Sequence, residues 1–265
     1  MKKIIGWPAV VVVLAGAGIG FYLWQQNRSP EPQPPRIETP QPPAAQAEPP
    51  AHYPVPGSAD AQTAADPLPP LQASDRALLD ALSSLWSRKT VTALFYPEGI
   101  VRRLVATIDN LPRKKISVGL FPVRPVVGSL VTAGEGEGLA IAPENAARYA
   151  SYVRIAEMVD TKKLVALYVR FYPLFQQAYQ DLGYPDGYFN DRLIVVIDHL
   201  LAAPADRETV RLIQPHVVYR FADQELETGS AGHKILLRIG QENAAKVKLR
   251  LREIRRELTG RDLSE

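Results

Sequence analysis

Thr161-Lys162-Lys163-Leu164-Val165-Ala166-Leu167-Tyr168-Val169-Arg170-Phe171-Tyr172-Pro173-Leu174-Phe175-Gln176-Gln177-Ala178-Tyr179-Gln180-Asp181-Leu182 is the stretch whose periodicity decides the fold class. Leu164, Leu167, Tyr168, Phe171, Leu174, Phe175, Ala178 and Leu182 recur at the intervals of one helix face, and Thr161 is a candidate N-cap. Pro173 lies inside the pattern and should bend the helix, because it supplies no N–H to the carbonyl near Val169.

The neighbouring segments extend this helical reading. Upstream, Pro143 and Glu144 open a helix with Tyr149, Tyr152, Val153, Ala156 and Val159 on one face, joined to the central helix by a connection short enough to force antiparallel packing. Downstream, Asn190 or Asp191 begins a helix through Leu193 to Leu201, whose continuous apolar run implies burial on more than one side. Ser74 and Asp75 start a helix carrying Leu78, Leu79, Leu82, Leu85 and Trp86. Pro97 opens another through Ile100, Val101, Leu104, Val105 and Ile108 that stops before Pro112.

Between these helical blocks the pattern turns to short extended pieces. Leu130-Val131 and Leu139-Ala140-Ile141 flank Gly134-Glu135-Gly136-Glu137-Gly138, which reads as a small hairpin. A phosphate loop would need a strand before it and a helix directly after, and its two glutamates would repel the anion. After Pro204, residues 210–213 and 217–221 alternate as short strands do. Gly229-Ser230 then precedes one long final helical segment. Its stripe of Ile235, Leu236, Ile239, Val247, Leu251, Ile254 and Leu258 is decorated by Lys246, Lys248, Arg250, Arg252, Arg255 and Arg256, a solvated face or one that could touch acidic lipid headgroups or polyanions. The expectation is a domain that is mainly α with a small β component (α+β), spanning residues 71–260 with a tail at 261–265.

The first 70 residues have a different composition. Lys2 and Lys3 precede a run from Ile4 to Trp24 without a charged side chain, and residues 4–24 are long enough as a helix to cross about 30 Å of hydrocarbon. Trp7, Tyr22 and Trp24 fall near its two ends, where amphipathic rings prefer the interface. Lys2 and Lys3 outweigh Arg28, so residues 1–3 are expected to stay cytoplasmic at a bacterial inner membrane, with the lipid bilayer contacted through Ile4 to Trp24. A cleaved signal peptide ending near Ala15-Gly16-Ala17 is the competing reading, but Ile19, Phe21, Leu23 and Trp24 prolong the apolar run past that point. Gly16 and Gly20 have the spacing of a small-residue helix contact, so a homodimer through that face is kept beside the monomer.

Fourteen of the 24 prolines lie between Pro30 and Pro70. Residues 25–70 therefore read as a disordered Pro-rich tether, too poor in large apolar side chains to form a core. The chain carries 31 basic and 28 acidic side chains, too even a balance to argue for nucleic acid. It has no cysteine, which removes disulfides, thiolate metal sites and cysteine nucleophiles.

Candidate chemistry concentrates at the end of the opening stretch. Arg170, Tyr172, Gln176, Gln177, Tyr179, Tyr184, Asp186, Tyr188, Asn190, Asp191 and Arg192 combine flat aromatic faces with orienting polar groups, a set suited to recognising a peptide or a sugar. Core aromatics and a helix cap are the plainer account of the same residues. Asp198 and His199 are adjacent on a helix and point about 100° apart, so they do not form a dyad. His52, His216 and His233 show no metal spacing, and no HExxH or GxSxG motif occurs. Carboxylate pairs such as Glu225 with Glu227 or Asp186 with Asp191 would need folding to set their separation. No catalytic or metal-ligating set is assigned, and no cofactor is expected.

The segments Tyr172-Pro173-Leu174-Phe175-Gln176-Gln177-Ala178-Tyr179, Gly183-Tyr184-Pro185, Tyr188-Phe189-Asn190-Asp191-Arg192-Leu193 and Val196-Ile197-Asp198-His199-Leu200-Leu201 resemble the bacterial membrane-anchored family of domain of unknown function 3014. Phe221-Ala222-Asp223 and Ser230-Ala231-Gly232-His233-Lys234 extend the resemblance, which covers roughly Leu71 to Leu258. It implies a bacterial envelope setting and brings no catalytic residues. The expectation is an envelope protein whose periplasmic domain binds or scaffolds an envelope protein or cell-wall partner. The alternative is a membrane-tethered hydrolase of an envelope polymer using Asp186, Asp191 or Asp198.

Overall fold

A computed structural model of the chain describes residues 52–56, 67–204 and 207–260, all within one unit that spans Pro50–Glu265. The expected membrane segment at residues 4–24, the Gly16 and Gly20 face, most of the tether and the tail lie outside the described residues. Among the described residues no helix is long and apolar enough to cross a membrane.

Three helices open the domain: α1 (Asp75–Leu85), α2 (Arg88–Leu94) and α3 (Ile100–Asn110). Asp75 links two of them. Its carboxylate accepts the N–H groups of Gly99 (2.8 Å) and Ile100 (2.9 Å), capping α3 where Gly99 has no side chain to do so. Helix α2 is capped by Ser87, whose hydroxyl accepts from the Thr90 N–H.

The expected hairpin is present as β1 (Thr132–Ala133) paired antiparallel with β2 (Ala140–Ile141). A second hairpin pairs β3 (Leu212–Ile213) with β4 (Arg220–Phe221). The two are stitched together by an isolated bridge between Ala140 and Arg211. Pro143 begins a 3-10 helix (Pro143–Tyr149) that continues as α4 (Ala150–Met158), so the helix expected from Pro143 arrives in two pieces.

Helix α5 (Thr161–Asp181) passes through Pro173 without ending. Its cap is Asp160, which accepts from the Lys163 N–H. Thr161 is the first helical residue and donates instead to Glu253 (2.9 Å), correcting its assignment as the cap. After α6 (Phe189–Leu201) and the short α7 (Gln224–Thr228), the expected single final helix is two: α8 (Ala231–Arg238) and α9 (Gln241–Thr259). Gly240 breaks them at φ 88° and ψ 156°, a region essentially closed to residues with a Cβ.

Helix α5 sits between α3 and α9 and contacts both. The main core joins Leu78, Val91, Ile100, Val105, Phe171, Phe175 and Phe189. A second cluster seats Leu258 of α9 against Val165, Ile194 and Ile197. The hairpins bury Val210, Leu212 and Phe221 with Leu226 and Leu237.

Candidate functional site

The corner between α5 and α6 is built by a glutamine. Gln176 donates to the Gly187 carbonyl (2.7 Å) and accepts from the Phe189 N–H and the Tyr172 hydroxyl, both at 2.9 Å. One side chain thus closes the turn and satisfies the first N–H of α6, which has no capping side chain at Tyr188. Behind the turn, Tyr179 stacks on Tyr184 with centroids 4.6 Å apart. A Cβ at Gly187 would stand 3.0 Å from the Tyr179 ring, so the loop lies flat against it.

Below this stack lies Asp109 of α3, 1% exposed. It accepts from Arg192 Nε (2.9 Å), Arg113 (2.8 Å) and the Tyr184 hydroxyl (3.3 Å), while Arg192 also reaches the Asp109 carbonyl (2.7 Å). Tyr184 and Arg192 of the stretch are therefore spent in locking α3 to the α5–α6 corner.

The next two residues hold a separate piece of chain. Asp191 Oδ1 accepts the Tyr53 N–H (2.7 Å), and the fully buried Asn190 donates to the Tyr53 carbonyl (2.8 Å). Asp191 Oδ2 meets His52 Nδ1 at 2.9 Å, and the His52 ring lies 4.3 Å from that of Tyr188. The Tyr168 hydroxyl donates to Asn190 Oδ1 (3.0 Å), fixing the amide so that its NH2 faces Tyr53. An Asn–Asp pair thus reads both main-chain groups of one residue, while the Tyr53 ring packs against the cluster containing Val165, Ile194 and Leu258. Val55, two residues on, is buried as well.

Burial pushes the Tyr168 phenol well above the usual tyrosine range, and the neighbouring Tyr172 and Asp191 add to it. Burial also raises Tyr172 and Tyr179, opposed respectively by a backbone hydrogen bond from Asn190 and by Arg192. All three phenols therefore stay protonated donors near neutral pH.

The sequence-derived set thus divides three ways. Tyr172, Gln176, Tyr179, Tyr184 and Arg192 build the corner; Tyr188, Asn190 and Asp191 hold residues 52 and 53. Arg170, Gln177 and Asp186 are exposed, Arg170 lying over the Phe171 ring. Asp109, His52 and Tyr53 were missed. Asp109 looks like one more acid on an amphipathic helix. His52 and Tyr53 did carry a signal, two adjacent rings in a tract rich in Pro, Ala and Gln.

Asp198 turns to Arg255 of α9 (2.6 and 3.3 Å), while His199 stacks on His233 with centroids 4.1 Å apart. His199 Nε2 meets the Ser230 hydroxyl (2.8 Å), and His233 Nε2 donates to the His199 carbonyl (2.7 Å). Asp198 and His199 thus have separate partners, as the helix geometry requires. Glu227 accepts from the Phe221 N–H (3.1 Å). Among the described residues no three His, Asp or Glu side chains are grouped as metal ligands. Much of the basic decoration of α9 has internal partners: Arg250 bonds Glu253 and the Val159 carbonyl, and Lys248 bonds the Ala203 carbonyl.

Fold and site together define a mainly helical α+β domain that clamps a short stretch of its own chain around Tyr53. A family model described as "Protein of unknown function (DUF3014)" matches residues 100–255, more than half of the 265 residues, and the chain belongs to that family. Neither the curated proteins nor the solved structures contain a match.

Proposed function

We propose that this chain is a single-pass protein of the bacterial inner membrane, with residues 1–3 cytoplasmic, residues 4–24 in the bilayer and residues 25–70 as a tether. Residues 71–260 form a periplasmic binding or scaffolding domain in this reading. Its partner is an envelope protein that presents an extended segment.

The observation that supports a binding role is the clamp on Tyr53. Where a domain holds an extended peptide, hydrogen bonds to the peptide's main chain give affinity and side-chain pockets give specificity. Here the chain itself supplies the segment that is held. Tyr188, Asp186 and Gln177 are exposed on or beside the same corner and offer a polar and aromatic rim. Of the three carboxylates of the hydrolase alternative, Asp191 is engaged in the clamp and Asp198 with Arg255, while Asp186 is exposed, so the binding reading uses two of the three as they stand.

A photoreactive residue at Gln177, introduced in living cells and followed by mass spectrometry, tests this reading. The expected result is one defined envelope protein, lost when Tyr188→Ala removes the exposed ring from a domain that stays folded. Tyr184 is unsuitable for that control because it belongs to the Asp109 network. No trapped species above background would overturn the proposal.

A further inference from the structure

Helices α1, α3, α5, α6 and α9 line a cavity of about 250 Å³ that is partly open to the outside. Leu78, Leu104, Leu167, Leu193 and Leu258 contribute one wall residue from each. We infer that this cavity is a binding site for a single saturated hydrocarbon chain of about eight carbons.

The walls exclude other chemistry. None of the described residues lining the cavity is charged. Trp86 and Tyr168 are the lining residues with a hydrogen-bonding group, and each directs it elsewhere. The Trp86 indole N–H goes to the Ile155 carbonyl (2.9 Å) and the Tyr168 hydroxyl to Asn190 (3.0 Å). A buried water needs two to four polar partners, so water in this space is weakly held and its displacement by an apolar guest is favourable.

Volume selects within the apolar class. A cavity of about 150 Å³ takes one benzene ring, so this one is oversized for a single small ring. At about 30 Å³ per water-sized group it holds roughly eight, the length of an octyl chain. A carboxylate or phosphate head would lose its hydration among these walls, so the guest enters tail first and leaves its head outside. That chemistry is shared by a free fatty acid and a lipid acyl chain. The inference stands apart from the clamp, whose ligand is peptide backbone.

Trp86 is itself a reporter, since the only other tryptophans are Trp7 and Trp24. The test uses the full chain with Trp7→Phe and Trp24→Phe, held in lipid nanodiscs, and bromine as a short-range quencher of Trp86 emission. One arm adds free 8-bromooctanoate; the other builds the disc from phospholipid brominated on the acyl chain. Saturable quenching by the free acid, or quenching by the brominated lipid, supports the site and identifies its source. In either arm it should weaken about tenfold when Val165→Phe fills the cavity. Leu167→Phe, at a half-buried wall position, is the second filling variant should Val165→Phe unfold the domain. Absence of quenching in both arms, or quenching that is unsaturable and equal in filled and unfilled chains, overturns the proposal.

Discussion

Asp109 is a nearly inaccessible carboxylate surrounded by donors from three directions, and two of its partners, Arg113 and Arg192, keep contact with water. Removing the carboxylate would leave Arg192 partly buried without its counter-charge. Because that guanidinium can still hydrate, Asp109→Ala should cost about 2–3 kcal/mol, at or below the low end for a broken buried pair. Urea unfolding should show the loss in the midpoint with little change in slope, and an unchanged midpoint would refute the network's importance. The stacked histidines make a second residue-scale prediction. Burial, then His233 and Arg192, hold the His199 imidazole below its ordinary value, whereas the unfolded chain takes up that proton near pH 6.5. The unfolded state therefore binds more protons just below about pH 6.5, so this contribution is intact above that pH and lost as pH falls toward the lowered folded value. Melting temperature should drop between pH 7.5 and 5.5, and the drop should shrink in His199→Gln. Sequence could not show either arrangement, because Asp109 and Arg192 meet across 83 residues and His199 and Ser230 across 31.

Elements were legible where a single periodicity ran long enough. The 21 residues of α5 announced themselves by their apolar face, and α6 by its continuous run. The first hairpin was visible from its glycines: Gly134 has φ 76°, and a Cβ there would lie 2.4 Å from the Gly138 carbonyl oxygen. Helix α2 was not foreseen, since seven residues with Val91 as the one buried side chain give no repeat to read. The break between α8 and α9 was hidden for the opposite reason. Apolar residues continue at helical spacing across Gly240, and only the tertiary fold shows the chain turning there. A Cβ at Gly240 would meet the Ala146 Cβ at 2.8 Å as well as the disfavoured backbone region. Gly240→Ala should therefore destabilise by about 2–4 kcal/mol, combining backbone strain with overpacking. A thermal melt checks it, and stability equal to the parent would mean that α8 and α9 tolerate fusion into one helix.

At the scale of the whole molecule, the candidate site was legible as a location but not as a mechanism. The Tyr172 to Arg192 region was singled out for its composition, and it is where distant parts of the chain converge. What it binds there, residues 52 and 53, came from a tract with too little apolar content to predict docking. The clamp bears on how the proposed tether behaves, because a fixed point at Tyr53 shortens the length of chain free to move before the domain. Holding depends on Asp191 more than on burial, since the His52 side chain is about half exposed while Asp191 carries both the His52 contact and the Tyr53 N–H. Asp191→Ala removes both, whereas Asn190 and the ring pocket remain. Amide exchange at Tyr53 should then accelerate about tenfold or more, the loss of one charge-assisted hydrogen bond, while the protected amides of α5 keep their rates. A uniform rise across α5 would instead mark Asp191 as a fold residue, and unchanged exchange at Tyr53 would mean that the ring alone holds the strap. Only the first pattern makes the clamp a separable binding device, one that a partner's extended segment could enter without unfolding the domain.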